Sequence, residues 1–217
     1  DLKMPVPQVA SNFVGSVNRI TLGATSSDGG TRSKVVTVGG AKNVVFGGSV
    51  EDIGEKPLIA MDVLDTAAQN WPQVLAECFS DVMDSPANWA IKCVEEFGAD
   101  LLCIKFDGID PDEGNKSADD AVAVTKSVLK AVGVPLVLWG SGINEKDNEV
   151  MPKVSEAAKG ENCLIGTVTE GNYKSLTAIA LADGHSLITE APLDINIAKQ
   201  VNILVSDMGF PLERVVT

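Results

Sequence analysis

The stretch WAIKCVEEFGADLLCIKFDG, residues 89–108, reads as a helix, a stop and a buried strand in succession. Trp89, Ala90, Cys93, Val94 and Phe97 recur at the spacing of one helical face. Gly98 then supplies the left-handed backbone on which helices commonly end. Leu101 to Phe106 is a short, almost wholly apolar run closed by Asp107, which reads as a strand.

The same unit recurs from Lys56 onward. Strand candidates are Pro57 to Val63, Leu101 to Phe106, Pro135 to Trp139, Cys163 to Ile165, Ser186 to Thr189 and Arg214 to Val216. Between them, Ala121, Val124, Thr125, Val128, Leu129 and Val132 make one helical face. Ala198, Val201, Leu204, Val205 and Met208 make another. Ser85-Pro86 sets a capping side chain before Pro at the first helical position, and Ser117 with Asp120 approximates a capping box. The helices are expected to stop at Gly98, Gly133, Gly160, Gly184 and Gly209. The later units are ~25 residues long, within the range of strand-plus-crossover modules.

Apolar strands alternating with amphipathic helices imply an α/β fold with a parallel sheet covered on its outer face. A doubly wound sheet is the rival architecture. Polar strand ends spread over every unit, with no single Gly-rich phosphate turn after the first strand, favour a TIM-type (β/α)8 barrel. A closed barrel needs about eight strands and typically ~250 residues. Six strand candidates fit here, so the barrel is expected to lack its last one or two βα units. Residues 1–50 are expected to form an N-terminal extension with a β-hairpin cap, and residues 51–217 the incomplete barrel. Val17 to Leu22 and Lys34 to Val38 read as the hairpin strands, joined by the segment Ser26-Ser27-Asp28-Gly29-Gly30-Thr31. Gly39-Gly40 and Gly47-Gly48 punctuate a further apolar piece, Asn43 to Phe46.

With 45% hydrophobic and 22% charged residues, the composition is that of a globular domain. A formal net charge of −13 repels phosphate backbones and anionic lipid, so neither nucleic acid nor membrane is an expected partner. The longest apolar runs are strand-length and no apolar or Arg-rich leader is seen, so a soluble cytoplasmic protein is expected. Cys78, Cys93, Cys103 and Cys163 include no C-x-x-C pair, and the single histidine, His185, lies far from them in sequence. No metal site, iron–sulfur cluster or disulfide is therefore expected on this chain. Cys93, Cys103 and Cys163 read as small buried hydrophobes.

Barrel active sites gather at the carboxyl ends of the strands. Those ends offer Asp62 and Asp65, Asp107 and Asp110, Gly140-Ser141-Gly142, Thr167, Thr169 and Glu170, then Thr189 and Glu190. Asn172, Tyr173, Lys174, Asp194 and Asn196 follow at helix starts. Asp62 and Asp107 end adjacent strands, either sharing a ligand as an acid/base pair or each capping the turn that follows. Asp194 reads first as a helix N-cap, and Gly140-Ser141-Gly142 as a tight loop or a place of close ligand approach. No histidine stands at a strand end, which argues against a His general base, a catalytic triad or a His-rich metal site. Lys105 is the one candidate for aldolase-like Schiff-base chemistry, weighed against pairing with a carboxylate. His185 opens a strand and so belongs to the opposite, stabilising end.

Five segments together resemble a known family: TLGATSSDGGTRSKVVTVGG from Thr21, WAIKCVEEFGADLLCIKFDGIDPD from Trp89, VGVPLVLWGSG from Val132, NYKSL from Asn172 and APLDINIAKQVNILV from Ala191. They are similar to the small subunit of the corrinoid/iron-sulfur protein, the delta subunit of the acetyl-CoA decarbonylase/synthase complex. The resemblance implies a partner, a large subunit carrying a [4Fe-4S] domain and the corrinoid (cobalamin), whose reactive face this barrel covers. It further implies a methyl carrier fed by a methyltetrahydrofolate methyltransferase and delivering to acetyl-CoA synthase/CO dehydrogenase, in the reductive acetyl-CoA (Wood-Ljungdahl) pathway. No catalytic residue and no metal ligand is assigned to this chain. The cofactor-facing candidates are Asp107, Gly140, Ser141, Gly142, Asn172, Tyr173, Asp194 and Asn196. The family's barrels look like pterin-binding methyltransferases, so the alternative is a barrel that binds methyltetrahydrofolate itself, with Asp62, Asp107, Asp194 and Asn196 as the remnant. The family's chains continue well beyond Thr217.

Overall fold

Alternation along the chain builds the hairpin. In β1, Arg19–Leu22, exposed and buried residues alternate, so Ile20 and Leu22 share a face. It pairs antiparallel with β2, Val36–Gly39, setting Ile20 against Val38 and Leu22 against Val36. The computed structural model describes residues 15–42, 54–68 and 71–217, and the piece expected at Asn43 to Phe46, with Gly47-Gly48, lies outside them.

Six strands follow: β3 Ala60–Leu64, β4 Leu101–Lys105, β5 Leu136–Trp139, β6 Leu164–Val168, β7 Ser186–Thr189 and β8 Val215–Val216. All neighbours are parallel and the spatial order is the chain order. A doubly wound sheet reverses its strand order at a switch point, and no reversal occurs here. β6 runs past Ile165 to Val168 through a register shift between those residues. The helices are α1 Gln73–Phe79, α2 Pro86–Glu95, α3 Ala118–Ala131, α4 Asn144–Ala157, α5 Tyr173–Asp183 and α6 Ile195–Asp207. From α2 to α6 each packs on the next, forming one row. None of the helices described is long and apolar enough to cross a membrane.

The strand period of two divides the sheet's side chains between two cores. Leu102 and Ile104, Leu136 and Leu138, Ile165 and Leu187 pack with the helices, around Trp89, Val128, Val154 and Val201. Leu101, Cys103, Val137 and Leu164 face the other way and pack against Ile20, Leu22 and Val36 of the hairpin. The hairpin thus covers part of the sheet's second face.

A buried arginine pins it there. Arg32, in the loop between β1 and β2, donates to Glu161 at 2.8 Å and to the carbonyls of Leu129 and Val132 at 2.7 and 2.6 Å. Those carbonyls end α3, where a helix leaves acceptors unpaired. Thr31 adds two further hydrogen bonds to Glu161, at 3.0 and 2.7 Å.

The caps fall where expected. Ser85 caps α2 ahead of Pro86, and Ser117 and Asp120 close a capping box on α3. Gly98, Gly160, Gly184 and Gly209 have positive φ, and Gly184 ends α5 in the left-handed conformation. Gly133 departs from the expectation. It is not left-handed, and α3 has already ended in the extended Val132. A Cβ at Gly133 would stand 2.3 Å from Ser33 Oγ, so close approach of the hairpin loop is what requires glycine there.

Candidate functional site at the strand ends

Beyond β3 and β4 lies a cleft of about 200 Å³ lined by Thr66, Trp71, Asp107, Asp110, Glu113 and Ser141, among others. Three carboxylates and two hydroxyls make its lining acceptor-rich, and the Trp71 indole is part of the same lining. Underneath sits Asp65, its side chain fully buried. Asp65 Oδ1 accepts from the Gly108 amide at 2.7 Å, while Oδ2 has no hydrogen-bond donor and lies 3.9 Å from Lys116 Nζ. Lys116 also donates to the Asp65 backbone carbonyl. Burial pushes the Asp65 carboxyl above its ordinary range; the Gly108 and Lys116 contacts oppose that, and nearby Asp107 adds to it.

Asp107 therefore has Asp65, not Asp62, as its acidic neighbour. Asp62 is in register with Cys103 inside the sheet, and its Oδ2 lies 3.4 Å from Lys105 Nζ. The pairing of Lys105 with a carboxylate is thus realised, on the last residue of β4.

Gly140-Ser141-Gly142 wraps around Asp147 in the first turn of α4. The Asp147 carboxylate accepts from Ser141 N at 2.8 Å, Ser141 Oγ at 3.0 Å and Gly142 N at 3.1 Å. Asp147 is buried, and burial raises its carboxyl above the usual range against those three bonds. A Cβ on Gly140 would sit 2.6 Å from that carboxylate. An internal carboxylate thus occupies the loop's amides, and the loop's contribution to the cleft is Ser141.

Asn172 is likewise spent on structure. It accepts from Thr169 N at 2.7 Å and donates to the Thr167 carbonyl at 2.9 Å, tying the end of β6 to α5. With Tyr173 and Asn148 it lines a second depression of about 340 Å³. Asp194 caps α6 by accepting from Asn196 N at 2.8 Å, and both side chains are exposed on the rim. Of the candidates, Asp107 and Ser141 share the first cleft, Asn172 and Tyr173 the second, and Asp194 and Asn196 line neither. Asp147, Glu113 and Trp71 carried no sequence signal, because their roles depend on which loops meet.

His185 lies at the opposite end of the sheet, fully buried. Its Nδ1 accepts from Cys163 N at 3.1 Å, which leaves the proton on Nε2 to bond the Ser155 carbonyl at 3.1 Å. Burial holds its pKa below the ordinary value. Burial likewise lifts the thiols of Cys93, Cys103 and Cys163 to about 11, 12 and 12, so they stay protonated at neutral pH. Among the described residues no His, Cys, Asp or Glu cluster is placed to hold a metal ion.

Comparison with known proteins adds the family. Residues 19–217 match the model for the CO dehydrogenase/acetyl-CoA synthase delta subunit. The acetyl-CoA decarbonylase/synthase complex subunit delta of Archaeoglobus fulgidus is 35% identical over 225 residues, covering 100% of this chain and 50% of the relative. The subunit delta of Methanocaldococcus jannaschii is 32% identical over 205 residues, or 94% of this chain and 50% of that protein. That of Methanothermobacter thermautotrophicus is 35% identical over 206 residues, 94% of this chain and 51% of the relative. The chain spans about half the length of the curated relatives it matches.

Proposed function

The chain belongs to the CO dehydrogenase/acetyl-CoA synthase delta-subunit family, and on that premise we propose that it covers the reactive face of a corrinoid held by a larger subunit. The larger subunit also carries the [4Fe-4S] domain. Together they take a methyl group from a methyltetrahydrofolate methyltransferase and hand it to acetyl-CoA synthase/CO dehydrogenase, in the reductive acetyl-CoA pathway of the cytoplasm. Residues 51–217 are the greater part of a TIM-type barrel, capped by the hairpin of residues 1–50. Sequential parallel strands and a single row of helices support that geometry.

The observation that carries the reading is the acceptor-rich cleft at the strand ends. A corrin ring is edged with amide donors, and Asp107, Asp110, Glu113 and Ser141 are acceptors suited to them. Asp65 and Asp147 hold that wall in place from beneath by bonding Gly108 and Ser141. The larger subunit would hold the corrinoid's metal centre. The chain's single histidine is engaged through both ring nitrogens at the far end, and its buried thiols are protonated. When bound, the corrinoid supplies the metal centre that carries the methyl group; this chain's part is to orient the ring's edge and exclude water.

The test is purification of the full-length protein from its native source, followed by mass spectrometry of the chains and a visible spectrum. A larger partner with corrinoid and iron–sulfur absorption is expected, and Asp107→Asn should loosen the corrinoid. A colourless protein without a partner sinks the carrier. The second reading, a barrel binding methyltetrahydrofolate itself, draws on the Trp71 wall beside those carboxylates. It requires saturable binding of that folate by the full-length protein alone.

A further inference from the structure

The cleft beyond β3 and β4 holds more negative charge than its own cations answer. Asp107, Asp110 and Glu113 line it, and among the described residues no Lys, Arg or His does. Asp65 lies on its floor, between Leu64 and Thr66 of the lining; its side chain is 0% exposed and its Oδ2 has no donor. Lys116 approaches that oxygen only to 3.9 Å and spends a hydrogen bond on the Asp65 carbonyl. Burial and the nearby Asp107 charge both push the Asp65 carboxyl up, as expected of a carboxylate short of positive partners.

The kind of cation follows from the rest of the lining. The carboxylates do not converge on a point: among the described residues no group of three or more His, Cys, Asp or Glu is placed to hold a metal ion. They border instead a space of about 200 Å³ that has the Trp71 indole in its lining. Edge-on contacts with Phe79 and Trp89, at centroid distances of 6.1 and 5.5 Å, fix that ring. An indole face attracts an organic cation through its alkyl groups, whereas a small divalent metal ion keeps its water. The carboxylates and the hydroxyls of Thr66 and Ser141 accept N–H donors.

We propose that this cleft binds a small alkylammonium ion, its N–H on the carboxylates and its alkyl groups against Trp71, over the buried charge of Asp65. Binding needs neither corrinoid nor partner, and a ring edge docking there competes for the same acceptors.

The experiment titrates trimethylammonium chloride into the full-length protein at constant ionic strength, with binding read by calorimetry and tryptophan fluorescence. Saturable binding is expected, and tert-butanol, a neutral molecule of similar shape, should show none. Trp71→Leu and Asp65→Asn are each expected to weaken binding about three- to tenfold. Asparagine keeps an oxygen for the Gly108 amide, so circular dichroism should find Asp65→Asn folded. Should it unfold, Asp107→Asn carries the same expectation. Absence of saturation with the wild type, or undiminished binding by the variants, overturns the proposal. Acetamide binding as well as the ion overturns it too, since the acceptors then prefer neutral amides, and the corrinoid reading stands. Magnesium that displaces trimethylammonium and binds Trp71→Leu undiminished also overturns it, by assigning the cleft to a hydrated metal ion. A colourless protein without a partner that still binds trimethylammonium supports the ion and loses the carrier alone.

Discussion

Arg32 is the residue on which the hairpin depends. Its guanidinium is 1% exposed and joins a carboxylate that is 9% exposed to two helix-terminal carbonyls. Replacing it by methionine leaves Glu161 buried without its charge partner, which costs about 3–5 kcal/mol. Urea unfolding of Arg32→Met checks this, and adding Glu161→Gln should recover part of the loss, since the orphaned charge goes with it. His185 makes a second test, because the sequence holds one histidine and hence one imidazole signal. An exposed imidazole is half-protonated near pH 6.5. Burial lowers the folded pKa below the unfolded one, so His185 contributes stability above the unfolded value, and that contribution is lost as pH falls toward the folded value. Its proton resonance should stay unshifted through pH 6.5, and a midpoint there contradicts the buried, doubly bonded ring. Asp65 and Asp147 act with the opposite sign. Their raised carboxyls disfavour the fold above the folded pKa, and that penalty vanishes below the unfolded value near 3.8.

Two glycines near helix ends separate two causes at the scale of the element. Gly184 ends α5 with φ +83 and has open space around its Cα, whereas Gly133 has ordinary φ and Ser33 pressed against it. Gly184→Ala should cost about 1–2 kcal/mol for the left-handed conformation, and no neighbouring substitution should relieve it. Gly133→Ala should also destabilise, here by steric conflict, and Ser33→Gly should rescue a good part of it. A double-mutant cycle by thermal unfolding reads the difference, and additivity of the two changes would refute the close-contact account. Helices were legible where their faces were regular, as in α2, α3 and α6. α4 hid its period because Pro152 lies within it and its first turns, Asn144 to Glu149, are all polar. β6 was read short because Gly166 and Thr167 interrupt the apolar run at a register shift.

Hairpin and sheet behave as one body at the scale of the whole molecule, because Ile20, Leu22 and Val36 share a core with Leu101, Cys103, Val137 and Leu164. Leu22→Ala should therefore cost about 2–5 kcal/mol of global stability and not merely fray a local ribbon. In a denaturant titration followed by tryptophan fluorescence, Trp89 with its neighbour Trp71 reports the helix layer and Trp139 the sheet, so the mutant's midpoint should fall. An unchanged midpoint would show the hairpin unfolding independently. The alternation of strand, helix and glycine and the caps at Ser85, Ser117 and Asp194 were decided by the sequence alone, because each depends on residues within a few positions of one another; the hairpin strands and the buried thiols were legible from their apolar, alternating surroundings. The tertiary structure decided which polar groups face a ligand. Asp62 and Asp65 are three positions apart, yet one pairs with Lys105 on the sheet and the other turns under Gly108 beneath the cleft. Asp147 and Asp194 both begin helices, yet one is swallowed by the loop after β5 and the other stays in solvent. Local pattern cannot separate them, since the burial of a carboxylate is set by amides that arrive from other strands and not by its own neighbours in sequence.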